Sequence, residues 1–383
     1  MVILIPAFVL TGTAYIPFLT LKVVISFSVL ILLHEFGHFV IAKISGVWVE
    51  EFGMGLPPRI FGKKIGETVY SLNWLPIGGF VKLHGETSSD EVVYPDRAFT
   101  NKKPLTKIAI TLAGIVMNLI LAVACFAIVY VIMGIPGKIN LTITGVSSQS
   151  PAESIGLRQG DIIKKIDNVS ITNDSGLKAE IEKEKGNIVP IEILRGGKTI
   201  DLKITPRVNP PAGEGALGIQ FTDIQEVYFP PVWQRPFVGA WYGVKQTFTL
   251  CKAVIFGLGN AAQSVSQGKS PKGLTGVVGI ISLFIEFAKL GIIPLINLIG
   301  VISVNLAIIN IIPFPPLDGS RIALVIVEWI TKKKMTAKLE EKVYLAGFVI
   351  LIGLTILITS HEIPSLIKSG SISNYANSLL NQK

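Results

Sequence analysis

The chain has 383 residues, of which 50% are hydrophobic and only 16% are charged. A soluble globular protein carries about a quarter charged residues, so this composition excludes an ordinary soluble enzyme and predicts a membrane protein. The net charge of +9 arises from lysines and arginines that are dispersed or lie beside apolar runs, which indicates contact with anionic membrane lipid and excludes a nucleic-acid partner.

Four apolar runs predict a polytopic α-helical membrane protein with about four transmembrane helices. Each run is long enough to cross roughly 30 Å of hydrocarbon at a rise of about 1.5 Å per residue. The runs cover residues 23–42, 108–133, 291–312 and 343–360. Residues 1–12 have no basic residue and are predicted to be retained rather than cleaved as a signal. The two cysteines, Cys125 and Cys251, are too isolated to predict a disulfide framework or a thiolate metal site.

The first run contains the motif HEFGH, with His34, Glu35 and His38. Histidines four residues apart lie on one face of a helix, where both can reach one zinc ion at about 2.0–2.1 Å. Glu35 lies beside that face and can take a proton from zinc-bound water and pass it to a leaving amine. Since a charged Asp, Lys or Arg inside a membrane costs roughly 2.5–3.5 kcal/mol, three polar side chains at this depth favour a metal site over a structural role.

Residues 67–86 follow the first run and alternate polar with apolar side chains, with turn residues at 76–79. This pattern predicts a small membrane-associated β-hairpin or sheet beside the first span. An exposed strand edge near an active site can hold a substrate in an extended conformation.

A charged section begins near residue 139 and predicts an inserted α+β domain, which we bound at residues 134–209. SPAE at residues 150–153 is a capping-box helix start, and a hairpin is centred on Gly196 and Gly197. GLRQGDIIKKIDN, residues 156–168, resembles the corresponding turn of PDZ domains. That resemblance implies peptide binding or gating, and the alternative of a domain that merely caps a cavity stays open.

Residues 1–133 are predicted to form the N-terminal half of the membrane part, and residues 288–383 its C-terminal half. Residues 210–287 are predicted to connect the PDZ-like domain to the C-terminal half. Proline, glycine and aromatic residues at 210–236 predict a linker that touches the membrane surface. Residues 237–262 and 275–287 predict amphipathic or interfacial helices, although a fifth and sixth crossing remain open.

The motif NIIPFPPLDG, residues 310–319, ends the third run and supplies Asp318 as a candidate third metal ligand. Its prolines break the helix, and irregular backbone at membrane depth is tolerated only against protein or a wet cavity. A catalytic zinc ion needs three protein ligands and one open position. The alternative is a surface aspartate in a loop.

Lysines orient the predicted spans, because cytoplasmic loops carry an excess of basic residues. They lie directly after the first run, at residues 102–107 before the second, and at 332–342 between the third and fourth. This distribution predicts a metal site towards the cytoplasm and an extracytoplasmic PDZ-like domain.

HEFGH, the PDZ-like section and the proline-rich LDG motif together resemble the site-2 protease family of intramembrane zinc metalloproteases, in particular the bacterial regulator-of-sigma-E protease branch. The resemblance implies zinc held by His34, His38 and Asp318, with Glu35 as the catalytic acid and base. It further implies that Asn305 and Asn310 contact substrate.

By the same resemblance, the substrates are single-span proteins of the bacterial cytoplasmic membrane, such as anti-sigma factors or remnant signal peptides, which another protease shortens first. The chain departs from the family pattern at Ile115 and Ser320 and has a single PDZ-like unit, which weakens the placement within the family. Two alternatives remain. One is a non-enzymatic membrane scaffold with a structural zinc, which would not need Glu35, and the other is a membrane-anchored peptidase for soluble substrates.

Overall fold

The structure is a computed structural model that describes residues 12–87, 91–171, 173–267, 275–333 and 335–381. The chain forms two compact units, one made of Met1–Tyr130 with Pro236–Lys383 and the other of Val131–Arg235. The N-terminal segment that the sequence predicts to be retained consists almost entirely of residues 1–11, which lie outside the described residues.

Helices and strands make up most of the described residues. The helices are α1 Gly12–Ile44, α2 Pro104–Met133, α3 Pro151–Ser154, α4 Asp174–Lys183, α5 Arg235–Ser266, α6 Val277–Leu290, α7 Ile292–Asn310, α8 Asp318–Thr331, α9 Ala337–Ser369 and α10 Ile372–Leu380. The strands are β1 Val49–Ile65, β2 Thr68–Leu83, β3 Ile135–Val146, β4 Ile162–Ile166, β5 Val169–Ser170, β6 Val189–Arg195, β7 Lys198–Ile204 and β8 Ile219–Tyr228.

Four described helices are long and apolar enough to cross a membrane, and they coincide with the four predicted runs. These segments are Phe18–Ile44 in α1, the whole of α2, the whole of α7, and the whole of α9. The predicted helices at 237–262 and 275–287 correspond to α5 and α6. Among the described residues, neither α5 nor α6 is one of the helices that are long and apolar enough to cross a membrane.

One core cluster of the first unit joins α1, α6 and α7. Leu30, Phe284 and Leu298 are buried in one cluster, where the rings of Phe27 and Phe284 lie 4.4 Å apart. Glu362, on α9, accepts backbone hydrogen bonds from Gly276, Val278 and Gly279 at 2.8–3.2 Å. These bonds satisfy amides at the start of α6 that have no partner within the helix.

The crossing of α1 and α2 depends on two glycines. A Cβ atom on Gly37 would lie 2.3 Å from the carbonyl oxygen of Ala113, and one on Gly114 would lie 2.3 Å from His38 Nε2. The two backbones can approach this closely only because neither glycine has a side chain. The HEFGH motif is thereby held directly against α2.

Strands β1 and β2 form a two-stranded sheet next to α1 that is larger than the predicted hairpin. The tight turn lies at Gly66, between Ile65 and Thr68, and not at residues 76–79. Residues 51–54 of β1 pair with 79–82 on one side and with 69–72 on the other. The alternating pattern predicts only residues 67–86 of this sheet, and residues 52–58 are assigned to the membrane-associated loop and sheet by family resemblance alone. The pairing of residues 51–54 with two segments is non-local, so no local pattern predicts it.

The second unit contains a six-stranded sheet in the order β7-β6-β4-β3-β8, with β5 paired to β4. Its core consists mainly of aliphatic side chains, including Leu141, Ile163, Leu177 and Ile191. Strand β8 pairs with β3 from Val146↔Ile219 to Ile135↔Tyr228. The sheet therefore continues past the predicted boundary at residue 209, and residues 219–228 are a strand, not a linker. Their mixed polar and apolar pattern hid a strand whose partner lies some 80 residues earlier in the chain.

One buried ion pair of the second unit predicts a pH-dependent stability. The Asp161 carboxylate lies 2.7 Å from Arg195 Nε and accepts the backbone N–H of Arg158 at 2.8 Å. Burial acts to raise the pKa of Asp161, but the hydrogen bonds from Arg195 and Arg158 lower it more, so the pKa in the folded state is below its usual value. The ionised carboxylate therefore contributes stability that is complete above about pH 3.9 and is lost as the pH falls through the lower folded-state pKa.

We expect Asp161→Asn to lower the melting temperature of separately expressed residues 131–235 at pH 7. The difference from wild type should shrink as the pH falls below about 3.9, because Asp161 then takes up a proton in the unfolded chain before it does so in the folded protein. Thermal unfolding followed by circular dichroism between pH 3 and pH 7 measures this. A difference that does not change with pH would contradict the role of the charge.

Candidate metal centre

The side chains of His34, His38 and Asp318 meet at one point. His34 Nε2 lies 3.0 Å from Asp318 Oδ2 and 3.2 Å from His38 Nε2, and His38 Nε2 lies 3.5 Å from Asp318 Oδ2. Both histidines come from successive turns of α1, as their spacing predicts, and Asp318 is the first residue of α8. The three candidate ligands predicted from sequence are therefore brought together.

The other ring nitrogen of each histidine faces a group on α2. His38 Nδ1 lies 2.8 Å from the carbonyl oxygen of Ile110, so Nδ1–H donates there and Nε2 presents a lone pair. His34 Nδ1 lies 3.1 Å from the side-chain amide of Asn118, which is fully buried. If the Asn118 side-chain amide is rotated by 180°, its Oδ1 accepts a hydrogen bond from His34 Nδ1–H. The lone pair of His34 Nε2 is then available to a metal ion, as that of His38 Nε2 is.

Three lone pairs directed at one point repel one another unless a cation lies between them. Asp318 Oδ2 is buried and, among the described residues, accepts no hydrogen bond of normal geometry. Tetrahedral ligands at about 2.0–2.1 Å from zinc are separated by roughly 3.3 Å, which matches the distances between these three atoms. Two imidazoles and one carboxylate leave a fourth position open, as in catalytic zinc sites. The residues present fit a zinc ion.

Glu35 lies where two cavities meet. A cavity of about 260 Å³ is lined by Glu35, His38 and Asp318 together with Phe80 and Val81 of β2. A second cavity of about 260 Å³, on the side of α7, is lined by Glu35, His34, Asp318, Asn310 and others. The Cγ atom of Glu35 lies 3.6 Å from the position of a Cβ on Gly79. The glutamate is thus close to the metal ligands, to a strand and to open space.

The two asparagines predicted to contact substrate differ in position. Asn310 Nδ2 lies 3.5 Å from His34 Nε2, and Asn310 lines the cavity on the side of α7. Asn305 Nδ2 donates to the carbonyl oxygen of Val301 at 2.8 Å, within its own helix, and Asn305 lines neither cavity. The structure brings Asn310 to the metal centre and leaves Asn305 one turn away along α7.

Sequence reasoning missed three polar residues near the centre: Asn118, Glu86 and Arg321. Asn118 orients His34, and Glu86 and Arg321 line the cavity that contains His38. An asparagine in the uncharged run of α2 was a signal, but its partner lies 84 residues away. Arg321 stands three residues after Asp318, on the same face of α8, and could have been noticed for that reason.

Comparison with known proteins gives the family. The model of peptidase family M50 matches residues 22–354. A Clostridium perfringens protein named "Putative zinc metalloprotease" is 34% identical over 339 residues, which cover 88% of this chain and 96% of that protein. A Clostridium acetobutylicum protein with the same description is 35% identical over 343 residues, covering 89% and 96%.

Among solved structures, the PDZ domain of an SdrC-like protein from Listeria monocytogenes is 24% identical and covers 21% of this chain and 85% of that one, with a TM-score of 0.20. The family model spans both halves of the membrane unit, including the HEFGH and LDG motifs. The predicted family, the zinc cofactor and the enzyme class are confirmed. The chain is a zinc metalloprotease that belongs to peptidase family M50, the site-2 protease family.

Proposed function

We propose that this protein hydrolyses peptide bonds within or near the transmembrane segments of single-span membrane proteins. The observation that carries the proposal is the meeting of His34, His38 and Asp318 beside Glu35. The two histidines and Glu35 lie on α1, a candidate membrane span, and Asp318 begins α8, which follows the candidate span α7. A site at this depth is reached by substrates that already lie in the membrane. A peptidase for soluble substrates would have no reason to place its ligands there.

The chemistry divides between the ion and the chain. Zinc, when bound, polarises a substrate carbonyl and lowers the pKa of water. Glu35 lies next to the ligands and takes the proton of the attacking water, then donates it to the leaving amine. The carbonyl of Ile110 and the amide of Asn118 hold the two imidazoles in the orientation that the ion requires.

A transmembrane substrate must be unwound before it is cut, because a helix hides its carbonyl groups in hydrogen bonds. Residues 79–82 pair with β1 on one side only and, in the part of the chain that the structure describes, have no second strand partner. Gly79 lies beside Glu35. A substrate segment added to this edge would run extended past the metal centre.

The distribution of lysines supports an orientation with the metal centre towards the cytoplasm and the PDZ-like second unit outside. The location that we propose is a bacterial cytoplasmic membrane. Substrates such as anti-sigma factors or remnant signal peptides would arrive after a first cleavage. The PDZ-like second unit would then act as a size filter or bind the new chain end, and membrane lipid surrounds the spans.

The test uses purified protein in detergent and two single-span reporters that differ only in their extracytoplasmic part, one short and one a folded domain. We expect cleavage of the short reporter within or near its span, loss of cleavage when zinc is chelated, and recovery when zinc is restored. Cleavage sites located by mass spectrometry far from the span would contradict the proposal. Equal cleavage of both reporters would contradict the size filter alone.

Asn310 and Asn305 give a matched pair of variants. Asn310 borders the cavity and can hydrogen-bond the unwound backbone of a substrate, whereas the Asn305 amide is used within α7. We expect Asn310→Leu to reduce kcat/KM about tenfold, since one hydrogen bond contributes about 1 kcal/mol or slightly more, and Asn305→Leu to reduce it less. Steady-state kinetics with the short reporter decide this, and a larger effect of Asn305→Leu would reverse the assignment.

A further inference from the structure

Arg321 and Glu86 form an ion pair beside the metal centre. Arg321 Nη1 lies 2.6 Å from Glu86 Oε1, and each side chain is only about a quarter exposed. Arg321 stands one helical turn after Asp318, so both residues lie on the same face of α8. The guanidinium group also lies over the ring of Phe99, with its carbon 5.6 Å from the ring centroid.

The second oxygen of the same carboxylate is bonded to the sheet. Glu86 Oε2 accepts the backbone N–H of Leu83, the last residue of β2, at 3.2 Å. One glutamate therefore bridges the helix that begins with a metal ligand and the strand segment 79–83. Arg321 and Glu86 are 235 residues apart in the sequence.

Both residues line the cavity that also contains Glu35, Asp318 and Phe80. Neither Glu86 nor Arg321 is one of the three candidate metal ligands. Glu86 and Arg321 connect the metal ligand Asp318 to the strand that would hold a substrate. The distance between that ligand and that strand determines where a bound substrate lies relative to the metal centre.

We propose that the Glu86–Arg321 pair is a positioning device that fixes the distance between strand segment 79–83 and Asp318. The inference rests on the proposed function, because it concerns the placement of a strand-bound substrate. A charge-assisted bond from the rigid guanidinium fork holds such a distance better than an apolar contact does. Misplacement of a reacting bond by about 1 Å can cost on the order of 100-fold in rate, so a small shift of the strand is sufficient.

The experiment compares wild type, Arg321→Met, Arg321→Lys, Glu86→Gln and the double variant Arg321→Met with Glu86→Gln, as purified full-length protein with the short reporter. We expect Arg321→Met to lower kcat about 10- to 100-fold while zinc content stays at that of wild type and KM changes by less than about threefold. Arg321→Lys should retain more activity than Arg321→Met. The double variant should be no slower than the slower single variant, because the two residues act as one unit.

Arg97→Met is the matched control. Arg97 pairs with Glu67 at 2.7 Å near the same sheet but does not line the cavity, so its loss should leave kcat within about twofold of wild type. Unchanged kinetics of Arg321→Met, effects that multiply in the double variant, or a loss of zinc in proportion to activity would each overturn the positioning role. If wild type does not cleave the reporter in a Glu35-dependent manner, the proposed function itself fails and the positioning role fails with it.

Discussion

Glu35→Gln is expected to abolish cleavage while leaving the metal centre intact. Glutamine has nearly the shape of glutamate but cannot accept a proton from water, and general acid–base catalysis contributes about 10²- to 10⁴-fold. Because Glu35 is not one of the three converging ligands, zinc content should remain that of wild type. Cleavage of the short reporter and zinc determination on the same purified sample measure both quantities.

Glu67→Gln serves as the control for this variant. Glu67 pairs with Lys43 and Arg97 and lines neither cavity, so its loss should leave cleavage close to the wild-type rate. Equal cleavage by wild type and Glu35→Gln would point to a contaminating protease and remove Glu35 from the mechanism. A Glu35→Gln protein without zinc would assign Glu35 to metal binding instead.

Gly114→Ala is expected to remove zinc binding although no ligand is changed. A Cβ atom at this position would lie 2.3 Å from His38 Nε2 and 2.8 Å from His34 Cε1, inside van der Waals contact. The added methyl group therefore displaces the imidazole that must reach the ion. Alanine also favours the helical backbone over glycine by about 1 kcal/mol, so α2 itself should not be weakened. We expect less than about a tenth of the wild-type zinc content and no cleavage, because a displaced imidazole no longer serves as one of the three protein ligands that a catalytic zinc ion needs.

Gly353→Ala is the matched control, because it makes the same change in another candidate membrane span. A Cβ atom on Gly353 meets no atom within 4 Å among the described residues. This variant should keep its zinc and its activity. Full zinc content and activity in Gly114→Ala would show that the metal lies elsewhere. Loss of zinc in both variants would show that the assay reports general damage to membrane helices.

The two variants separate two contributions to the same site. Glu35→Gln removes a proton carrier from an intact metal centre, and Gly114→Ala removes the centre while the proton carrier stays in place. A scaffold with a structural zinc would lose nothing essential in the first case. A zinc-dependent protease loses its activity in both cases.

Local features of the sequence determined much of this protein. The length of the apolar runs set the number of candidate spans, because crossing a bilayer requires a certain number of residues whatever their partners are. The spacing of His34 and His38 placed both on one face of α1, because a helix repeats every 3.6 residues. The prolines before Asp318 ended α7, so that this residue could start a new helix beside the histidines.

Only the tertiary structure decided which atoms meet. Asn118 and Gly114 act through partners on another helix, and Arg321 acts through Glu86, which follows β2. No local pattern specifies such pairs. The position of strand β8 in the sheet was likewise not predictable from local sequence, because β8 pairs with β3, which lies far earlier in the chain. A periodicity reports which face of an element is apolar, whereas a contact depends on how two faces pack, and packing is a property of the whole fold.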